Sequence, residues 1–309
     1  MPSAPPPQSF TIDAFKIALE LYSSLVEKVY TSKLKDHKKV TDALQRDKWR
    51  FEDLPATVAE IIGSGQKEAK DGKTGGDVKD GGLTKATVER LVQWKITHGH
   101  SRPFLPAMVR KNEASTVQTQ TAVAFTKLAT SSDSSETHST PTVVASLDAA
   151  CKLTGIGPAT GTLILNIFDP VHIPFFQDEM YSWFFPDTKS DKLKYTQKEY
   201  LQLLEAVRPV LKRLAIKAAD LEKVSYVLGH MELLEEQERK ELEEAFTHVD
   251  ELIAEQGLPR QQAAAQAGKT EQKETTQESA KKGTKRSPDT KADDDNLQNH
   301  SGRRTRQKK

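Results

Sequence analysis

Apolar residues recur at helical spacing along most of the chain, and polar residues separate the apolar stretches. Phe15, Leu19 and Tyr22 share one face of the first predicted helix, for which Thr11 or Asp13 is available as the N-terminal cap. No alternating strand pattern extends beyond a few residues. The sequence therefore predicts an all-α protein. Further helices are expected at about 40–62, 84–98, 116–128, 196–214, 219–231 and 235–254.

Polar stretches flank and interrupt these helices. The proline-rich start at 1–8 is expected to be disordered, and the glycine-rich and serine-rich stretches at about 64–82 and 130–140 are expected to be flexible insertions. From 258 to 309 there is almost no large apolar residue, which predicts a disordered basic tail. The mean hydropathy of −0.62 agrees with a folded middle between polar ends. The predicted organisation is one helical domain over 9–257.

Composition excludes several classes of protein. Cys151 is the only cysteine, which excludes a disulfide framework and any cysteine-rich zinc or iron–sulfur site. No apolar run approaches the roughly 18 residues of a membrane span, and the first residues lack the layout of a signal peptide. We therefore expect an intracellular protein that contacts no membrane and uses no cofactor or metal. The net charge of +1 says little about partners.

The most informative segment is Leu153–Gly161, in which two glycines flank one apolar residue and a proline precedes an apolar helix. Gly155 and Gly157 permit unusual backbone conformations and leave their amides uncovered, and Pro158 suits a first helical position. Such a hairpin directs amides and a helix N-terminus at solvent, where they can bind a phosphate. The alternative is an ordinary helix–turn–helix corner whose glycines serve only packing.

This segment resembles the helix-hairpin-helix of the DNA-glycosylase superfamily, whose pattern Leu-Pro-Gly-Val-Gly-Arg-Lys-Thr-Ala precedes an apolar helix, a proline loop and an aspartate. The helix at 160–168, the loop at 169–174 and Asp178 correspond to those parts. The stretch 94–103 resembles the Trp-Lys-x-x-x-Gly-x-x-Arg-Pro signature of the divergent eukaryotic Amun family of glycosylase-like nuclear proteins. The resemblance covers about 36–230 and implies a helix-hairpin-helix glycosylase-like fold. It also implies that DNA backbone binds at Gly155, Ile156, Gly157 and Thr160.

The chain departs from the superfamily pattern where catalysis is concerned. Ala159 occupies the place of the lysine that glycosylase/lyases use as a Schiff-base nucleophile, so lyase chemistry is lost at this position. Asp178 follows it by 178 − 159 = 19 residues, one more than is usual. Asp178 is the candidate catalytic residue of a monofunctional DNA N-glycosylase, which also needs an aromatic base pocket. Alternatively, Asp178 only favours a helix N-terminus, and the aromatic residues between 175 and 185 fill the core.

Lys95 and Arg102 flank a predicted helix end, with His98 and His100 between them. The pair can bind a DNA phosphate, or a carboxylate inside a cleft. Alternatively, Lys95 lies along the helix surface and Arg102 hydrogen-bonds the last helical carbonyls. The two histidines are expected to be surface residues.

The predicted tail carries two basic clusters, at 281–286 and 303–309, that are typical of nuclear import or nucleic-acid contact. The acidic helix around 232–255 is expected to pack on the domain or on a protein partner. The leading hypothesis is a nuclear DNA-binding protein without catalytic activity. Two alternatives stay open: a glycosylase that uses Asp178, and a protein-interaction scaffold that has lost DNA contact. The scaffold is favoured if Lys95 and Arg102 face a closed, non-basic cleft.

Overall fold

The computed structural model describes residues 4–63, 76–130, 137–188 and 193–255, and the side chains of all of these except 62–63 and 247–255. Residues 64–75 of the first predicted insertion, residues 131–136 of the second and the basic tail lie outside the described residues. The helices are α1 (Ile12–Glu20), α2 (Tyr22–Leu34), α3 (His37–Lys48), α4 (Leu54–Gly63), α5 (Lys85–His98), α6 (Leu105–Val109), α7 (Ala114–Ala129), α8 (Thr140–Ala150), α9 (Pro158–Phe168), α10 (Asp178–Phe184), α11 (Gln197–Leu214), α12 (Ala218–Gly229) and α13 (Glu236–Glu255).

The helical pattern of the sequence is confirmed, with two local differences. The first predicted helix is two helices that meet at Leu21, and the stretch at 40–62 runs from α3 through a π-helical turn, Trp49–Asp53, into α4. Thr11 caps α1 by accepting a hydrogen bond from the Ala14 amide at 3.2 Å. Thr196 and Glu199 form the predicted reciprocal capping box at the start of α11. The chain is mostly helical, as the all-α prediction states.

The central helix is α9, which is buried on every side. Leu163, Ile164 and Ile167 pack with α4, α5 and α7, whereas Leu165 packs with a second cluster built from the remaining helices. A helix that is apolar all round is stable only when protein surrounds it. Gly161 permits the close approach of α8, because a Cβ at this position would lie 2.6 Å from the Leu147 side chain. The glycine segment before α9 is thereby fixed between two cores.

The start of the described chain is ordered, contrary to the predicted disorder over 1–8. Pro5 and Pro7 are buried. The Trp183 indole donates a hydrogen bond to the Pro5 carbonyl at 2.9 Å, and Arg213 donates one to the Pro7 carbonyl at 2.9 Å. The prediction is wrong for residues 4–8, because a proline-rich segment lacks amide donors but keeps carbonyls that side chains of α10 and α11 can bind.

The second correction concerns the end of the first predicted insertion. Strands β1 (Val78–Lys79) and β2 (Gly82–Leu83) form a short antiparallel hairpin. Val78 and Leu83 are fully buried, and Asp77 accepts a hydrogen bond from the Trp49 indole at 3.1 Å. The flexible insertion therefore does not include residues 76–82, where two apolar side chains within a polar stretch suffice to anchor the chain.

The acidic helix α13 packs on the domain. Leu242 and Phe246 are buried, and the rings of Phe246 and Phe10 lie 5.7 Å apart. Just before and within its first turn, Glu235 and Glu238 form ion pairs with Lys28 at 2.9 and 3.1 Å. The helices described here belong to one compact unit that ends at Gln256. None of the helices in the described ranges is long and apolar enough to cross a membrane.

Candidate functional site

The glycine hairpin joins α8 to α9, and its first glycine is required by local structure. Gly155 has φ of +82°, a conformation that side chains disfavour. A Cβ at Gly155 would also lie 2.9 Å from Met108 Cβ and 3.3 Å from the Val109 amide nitrogen. Both the backbone turn and the packing of α6 against the hairpin therefore account for this glycine.

Neither reason applies to the second glycine. Gly157 is exposed and extended, with φ of −96° and ψ of −176°, a conformation open to any residue. No atom lies within 4 Å of the place where its Cβ would stand. Gly157 is also the N-cap of α9, and no side chain caps this helix end. A small residue here keeps the helix N-terminus uncovered.

Several backbone amides lie close together at the N-terminus of α9. The Ile156 amide bonds the Leu153 carbonyl at 3.0 Å, and the Thr160 amide bonds the Gly157 carbonyl at 3.0 Å. Within the described ranges no group accepts a hydrogen bond from the amides of Gly155, Gly157 and Ala159. Unpaired amides at a helix N-terminus, together with the helix dipole, favour an anion.

Two residues of the predicted DNA-binding set lie inside the protein. The Ile156 side chain packs in the core with α4, α5 and α9, and Thr160 is also buried. Their side chains hold the hairpin against the domain. Of the predicted hairpin residues, only Gly155 and Gly157 therefore present backbone to solvent.

Basic residues surround the hairpin, although the sequence did not single them out. The Asn112 side chain donates to the Thr154 carbonyl at 2.9 Å and accepts from the Thr154 amide at 2.8 Å. This pair of bonds fixes the turn between α6 and α7 beside the hairpin and, with it, the exposed side chains of Arg110 and Lys111. Lys152, on the hairpin itself, is exposed as well.

A large aromatic side chain protrudes next to these cations. Phe104 is 80% exposed. Its carbonyl accepts a hydrogen bond at 3.2 Å from the amide of Met108, the residue that packs on Gly155. Met108 is exposed too. An exposed aromatic beside unpaired amides and cations is typical of an interaction surface rather than of a folded core. We call Gly155, Gly157, Lys152, Arg110, Lys111 and Phe104 the hairpin surface.

The second site is a cleft between the end of α5 and the start of α10. It is lined by Lys95, Arg102, Asp178 and Tyr195 among others, and its cavity measures about 20 Å³, enough for roughly one water molecule. Nδ1 of His100 lies 2.5 Å from Oδ2 of Asp178. The Arg102 guanidinium lies 5.0 Å from the centre of the Tyr195 ring. The structure thus brings the predicted Lys95, Arg102 and Asp178 together.

The charges in this cleft compensate one another. Burial lowers the pKa of Lys95, while the Asp178 carboxylate opposes that change. Burial likewise raises the pKa of Glu179. Burial and the neighbouring Asp178 raise the pKa of Tyr195 to about 12, so its hydroxyl stays protonated at neutral pH. The cleft is of mixed charge, unlike the surface around the hairpin.

One wall of the cleft is a buried histidine, so the expectation that His98 lies on the surface is wrong. His98 follows Trp94 by one helical turn on the buried face of α5. Its ring stacks between Trp94 and Tyr226, with centroid distances of 4.6 and 3.9 Å. Burial lowers the pKa of His98 well below its ordinary value, which keeps the ring neutral. Nδ1 of His98 pairs with the Tyr30 hydroxyl at 3.0 Å.

Two buried nitrogens at the cleft are without a partner among the described residues: Nε2 of His98 and Nε2 of Gln177. Both side chains line the cavity. Buried polar atoms are rarely left unpaired, and a single water in the cavity is the simplest group that can satisfy them. Sequence patterns contain no signal for this arrangement, because it depends on the tertiary fold that brings the end of α5 and the start of α10 to one cleft.

A buried charged network lies beneath the cleft. Arg50 is fully buried and donates to Glu222 at 2.7 Å and to Asn166 at 2.9 Å. Asp47 accepts from the Trp94 indole at 2.8 Å and from the Tyr22 hydroxyl at 3.0 Å. The network ties α2, α3, α5, α9 and α12 together. The one sign of this network in the sequence is Glu222, an acidic residue on the otherwise apolar face of α12.

The aromatic residues near α10 pack in the core, which decides one alternative that the sequence left open. Phe176, Tyr181 and Phe184 belong to the main core, and Phe175 belongs to the core around the hairpin. Trp183 packs edge-on against Phe10 at 5.0 Å. Phe175 and Phe176 line the water-sized cavity, which is too small for a nucleobase. Trp183 and Phe184 line, with Asp178, a wider open groove of about 680 Å³.

Comparisons of the chain with protein-family models, with curated proteins and with solved structures find no match. The helix-hairpin-helix resemblance therefore stays a prediction.

Proposed function

We propose that the protein binds the phosphate backbone of DNA through the hairpin surface. The observation that carries the proposal is Gly157, where neither conformation nor packing requires a glycine. Its exposed position at an uncapped helix N-terminus is accounted for if a phosphate approaches the backbone there. The unpaired amides of Gly155 and Ala159 add donors at the same end of α9.

The side chains around the hairpin support the same partner. Arg110, Lys111 and Lys152 can each neutralise a phosphate, and such contacts position a protein on DNA without reading its sequence. Phe104 offers an exposed ring that can stack on an unpaired base or wedge into a base step. The hydrogen bonds between Asn112 and Thr154 hold the turn that carries Arg110 and Lys111 beside the hairpin.

Lys95 and Arg102 have no direct part in this proposal. Lys95 shares a narrow cleft with Asp178, which compensates its charge. Arg102 lines the same cleft and is exposed, with its guanidinium over the Tyr195 ring. Ile156 and Thr160 contribute by holding the hairpin in place. The residues that we propose to contact DNA are therefore Gly155, Gly157 and the basic residues of the hairpin surface.

The test is a fluorescence-anisotropy titration of the full chain against a labelled duplex, repeated at several salt concentrations with an Arg110→Ala/Lys111→Ala variant and a Lys95→Ala variant. Binding that weakens with salt, and that depends on Arg110 and Lys111 but not on Lys95, supports the proposal. If all three proteins bind equally, the hairpin surface is not the site. The absence of binding at low salt favours the protein-interaction scaffold.

A monofunctional glycosylase is the second candidate, favoured by one observation. Asp178 lies beside a cavity that accepts a single water, and a glycosylase needs a carboxylate to orient water and to stabilise charge on the deoxyribose. Asp178 also lines, with Trp183 and Phe184, an open groove of about 680 Å³ that has room for a base. The test compares base release from duplexes with damaged or mismatched bases by the wild type and by Asp178→Asn. Activity that Asp178→Asn abolishes while DNA binding persists assigns the reaction to this residue.

We also propose that the protein acts in the nucleus, since the basic clusters at 281–286 and 303–309 are typical of import segments. A fluorescent fusion of the full chain should accumulate in nuclei, and the same fusion ending at residue 280 should not. Equal distribution of the two fusions would contradict this assignment.

A further inference from the structure

Two histidines and an aspartate meet at the end of α9 opposite the hairpin. Asp169 directly follows α9, His172 lies three residues later, and His138 precedes α8. Nε2 of His138 lies 2.7 Å and Nδ1 of His172 lies 2.9 Å from the same atom, Oδ2 of Asp169. The candidate ligand atoms of the three residues all lie within 4.8 Å of one another.

The carboxylate is oriented by the turn that follows it. The amides of Val171 and His172 both donate to Oδ1 of Asp169 at 3.0 Å, which leaves Oδ2 directed at the two imidazoles. The Oδ2 atom is thereby placed to act as the carboxylate ligand of the cluster.

Neighbouring helices hold the segments that carry these residues. The Arg208 guanidinium donates to the His138 carbonyl at 2.6 Å and to the Thr140 hydroxyl at 2.8 Å, which fixes the approach to α8 on α11. At the other side, the amides of Ala218 and Ala219 donate to the carbonyls of Val171 and Pro170 at 3.0 and 2.9 Å. Such outer contacts orient ligands before a metal arrives.

We propose that His138, Asp169 and His172 bind a divalent transition-metal ion, with zinc as the fitting example. Two imidazoles and one carboxylate are ligands that zinc accepts, whereas calcium and magnesium prefer oxygen alone. The His172 side chain is 38% exposed, so water or an external ligand can complete the coordination.

Two of the three distances between ligand atoms fit this proposal with a small adjustment, and the third, between the two imidazole nitrogens, is within 4.8 Å. Ligand atoms about 2.0–2.1 Å from a tetrahedral zinc lie roughly 3.3 Å from each other. The present separations of 2.7 and 2.9 Å are those of direct hydrogen bonds, so the imidazoles must part from Asp169 by about half an ångström. His172 lies in an exposed turn that allows this movement. The ion then takes the place of the protons in the hydrogen bonds between the imidazoles and Asp169. It links the segment before α8 to the loop after α9.

The metal site is independent of the proposed DNA contact. Gly157 and Asp169 lie at opposite ends of α9, whose 11 residues span about 16 Å. Loss of metal binding should therefore leave duplex affinity unchanged, and loss of DNA binding should leave metal affinity unchanged.

The experiment is a calorimetric titration of the full chain, free of any polyhistidine tag and treated with chelator, with zinc chloride. Cobalt chloride in a parallel titration reports coordination by visible absorption. The test variant is His172→Gln, which removes one exposed ligand, and the matched control is His37→Gln, an exposed histidine at the start of α3. Both should fold, because both side chains lie at the surface.

We expect one equivalent of zinc and a cobalt spectrum for the wild type and for His37→Gln, and at least tenfold weaker binding for His172→Gln. Absence of binding by the wild type would show that the cluster is only hydrogen-bonded. Equal zinc affinity of His172→Gln and the wild type would equally overturn the site. Asp169→Asn gives a second test, and it should also weaken zinc binding by tenfold or more.

Discussion

Replacing Gly157 by aspartate separates the fold of the hairpin from its proposed contact with DNA. The extended backbone and the open space at this position accept a side chain without strain. Aspartate is a favoured N-cap, whose carboxylate can accept a hydrogen bond from the free amide of Ala159 in the first turn. We therefore expect Gly157→Asp to fold and to be as stable as the wild type, or more stable by a few tenths of a kcal/mol.

The same change should strongly weaken DNA binding. The carboxylate occupies an amide that a phosphate would use, and a hydrogen bond to a charged group contributes about 1.5–3 kcal/mol. Repulsion between the carboxylate and a phosphate at about 4 Å adds about 1 kcal/mol in water. The sum of about 2.5–4 kcal/mol corresponds to roughly 100-fold weaker binding or more.

The matched control is Gly157→Asn, which has nearly the same shape and capping ability without the charge. Its cap must be displaced by the phosphate, which costs up to about 1 kcal/mol, so binding should weaken about fivefold at most. Thermal melting checks the fold of each variant, and anisotropy with a labelled duplex gives each Kd. A folded Gly157→Asp protein with wild-type affinity would refute the reasoning. Equal losses for the two variants would show that bulk rather than charge matters.

Four further predictions follow from the buried network and the hairpin surface. Arg50→Met should lower the free energy of unfolding by about 3–5 kcal/mol in urea denaturation, because it leaves Glu222 buried without its cation. Burial raises the pKa of Glu222 to about 7, above an unfolded value of about 4.3. Its stabilising contribution is thus present below pH 4 and lost as pH rises through 7, by up to about 4 kcal/mol, and Glu222→Gln should flatten that dependence between pH 5 and 8. Phe104→Ala should leave the melting temperature unchanged but weaken binding to single-stranded or abasic DNA by about 1–3 kcal/mol, measured by anisotropy. Arg110→Ala/Lys111→Ala should make the plot of log K against log salt less steep by about 2. An unchanged urea-denaturation curve for Arg50→Met, or an unchanged salt plot for the double variant, would contradict the corresponding contact.

The helices were predictable because each carries its own local signal. Thr11, Thr196 with Glu199, and Gly99 mark helix ends through groups only a few residues away, and the structure confirms all three positions. The turn at the glycine hairpin was predictable for the same reason, since Gly155 and Pro158 act on their immediate neighbours. Local chemistry suffices wherever the interacting residues are adjacent in the sequence.

What could not be predicted depends on contacts between distant residues. Arg50 and Glu222 are 172 residues apart, and nothing near either residue indicates that they pair. The expectation that His98 lies at the surface is wrong, because its helical phase relative to Trp94 places it in the core. Lys95 and Asp178 come together only because the tertiary fold places the end of α5 and the start of α10 at the same cleft. These features require the tertiary fold before they can be recognised.

The central claim is that the folded domain itself binds the DNA backbone, and one titration tests it most directly. The chain ending at Gln256, where the compact unit ends, is titrated against a labelled duplex with and without an abasic site at increasing salt. Contacts from Arg110, Lys111 and Lys152 predict salt-sensitive binding with a slope of about −3 in log K against log salt. The absence of binding at low salt, with the full chain still binding through its tail, would contradict the account.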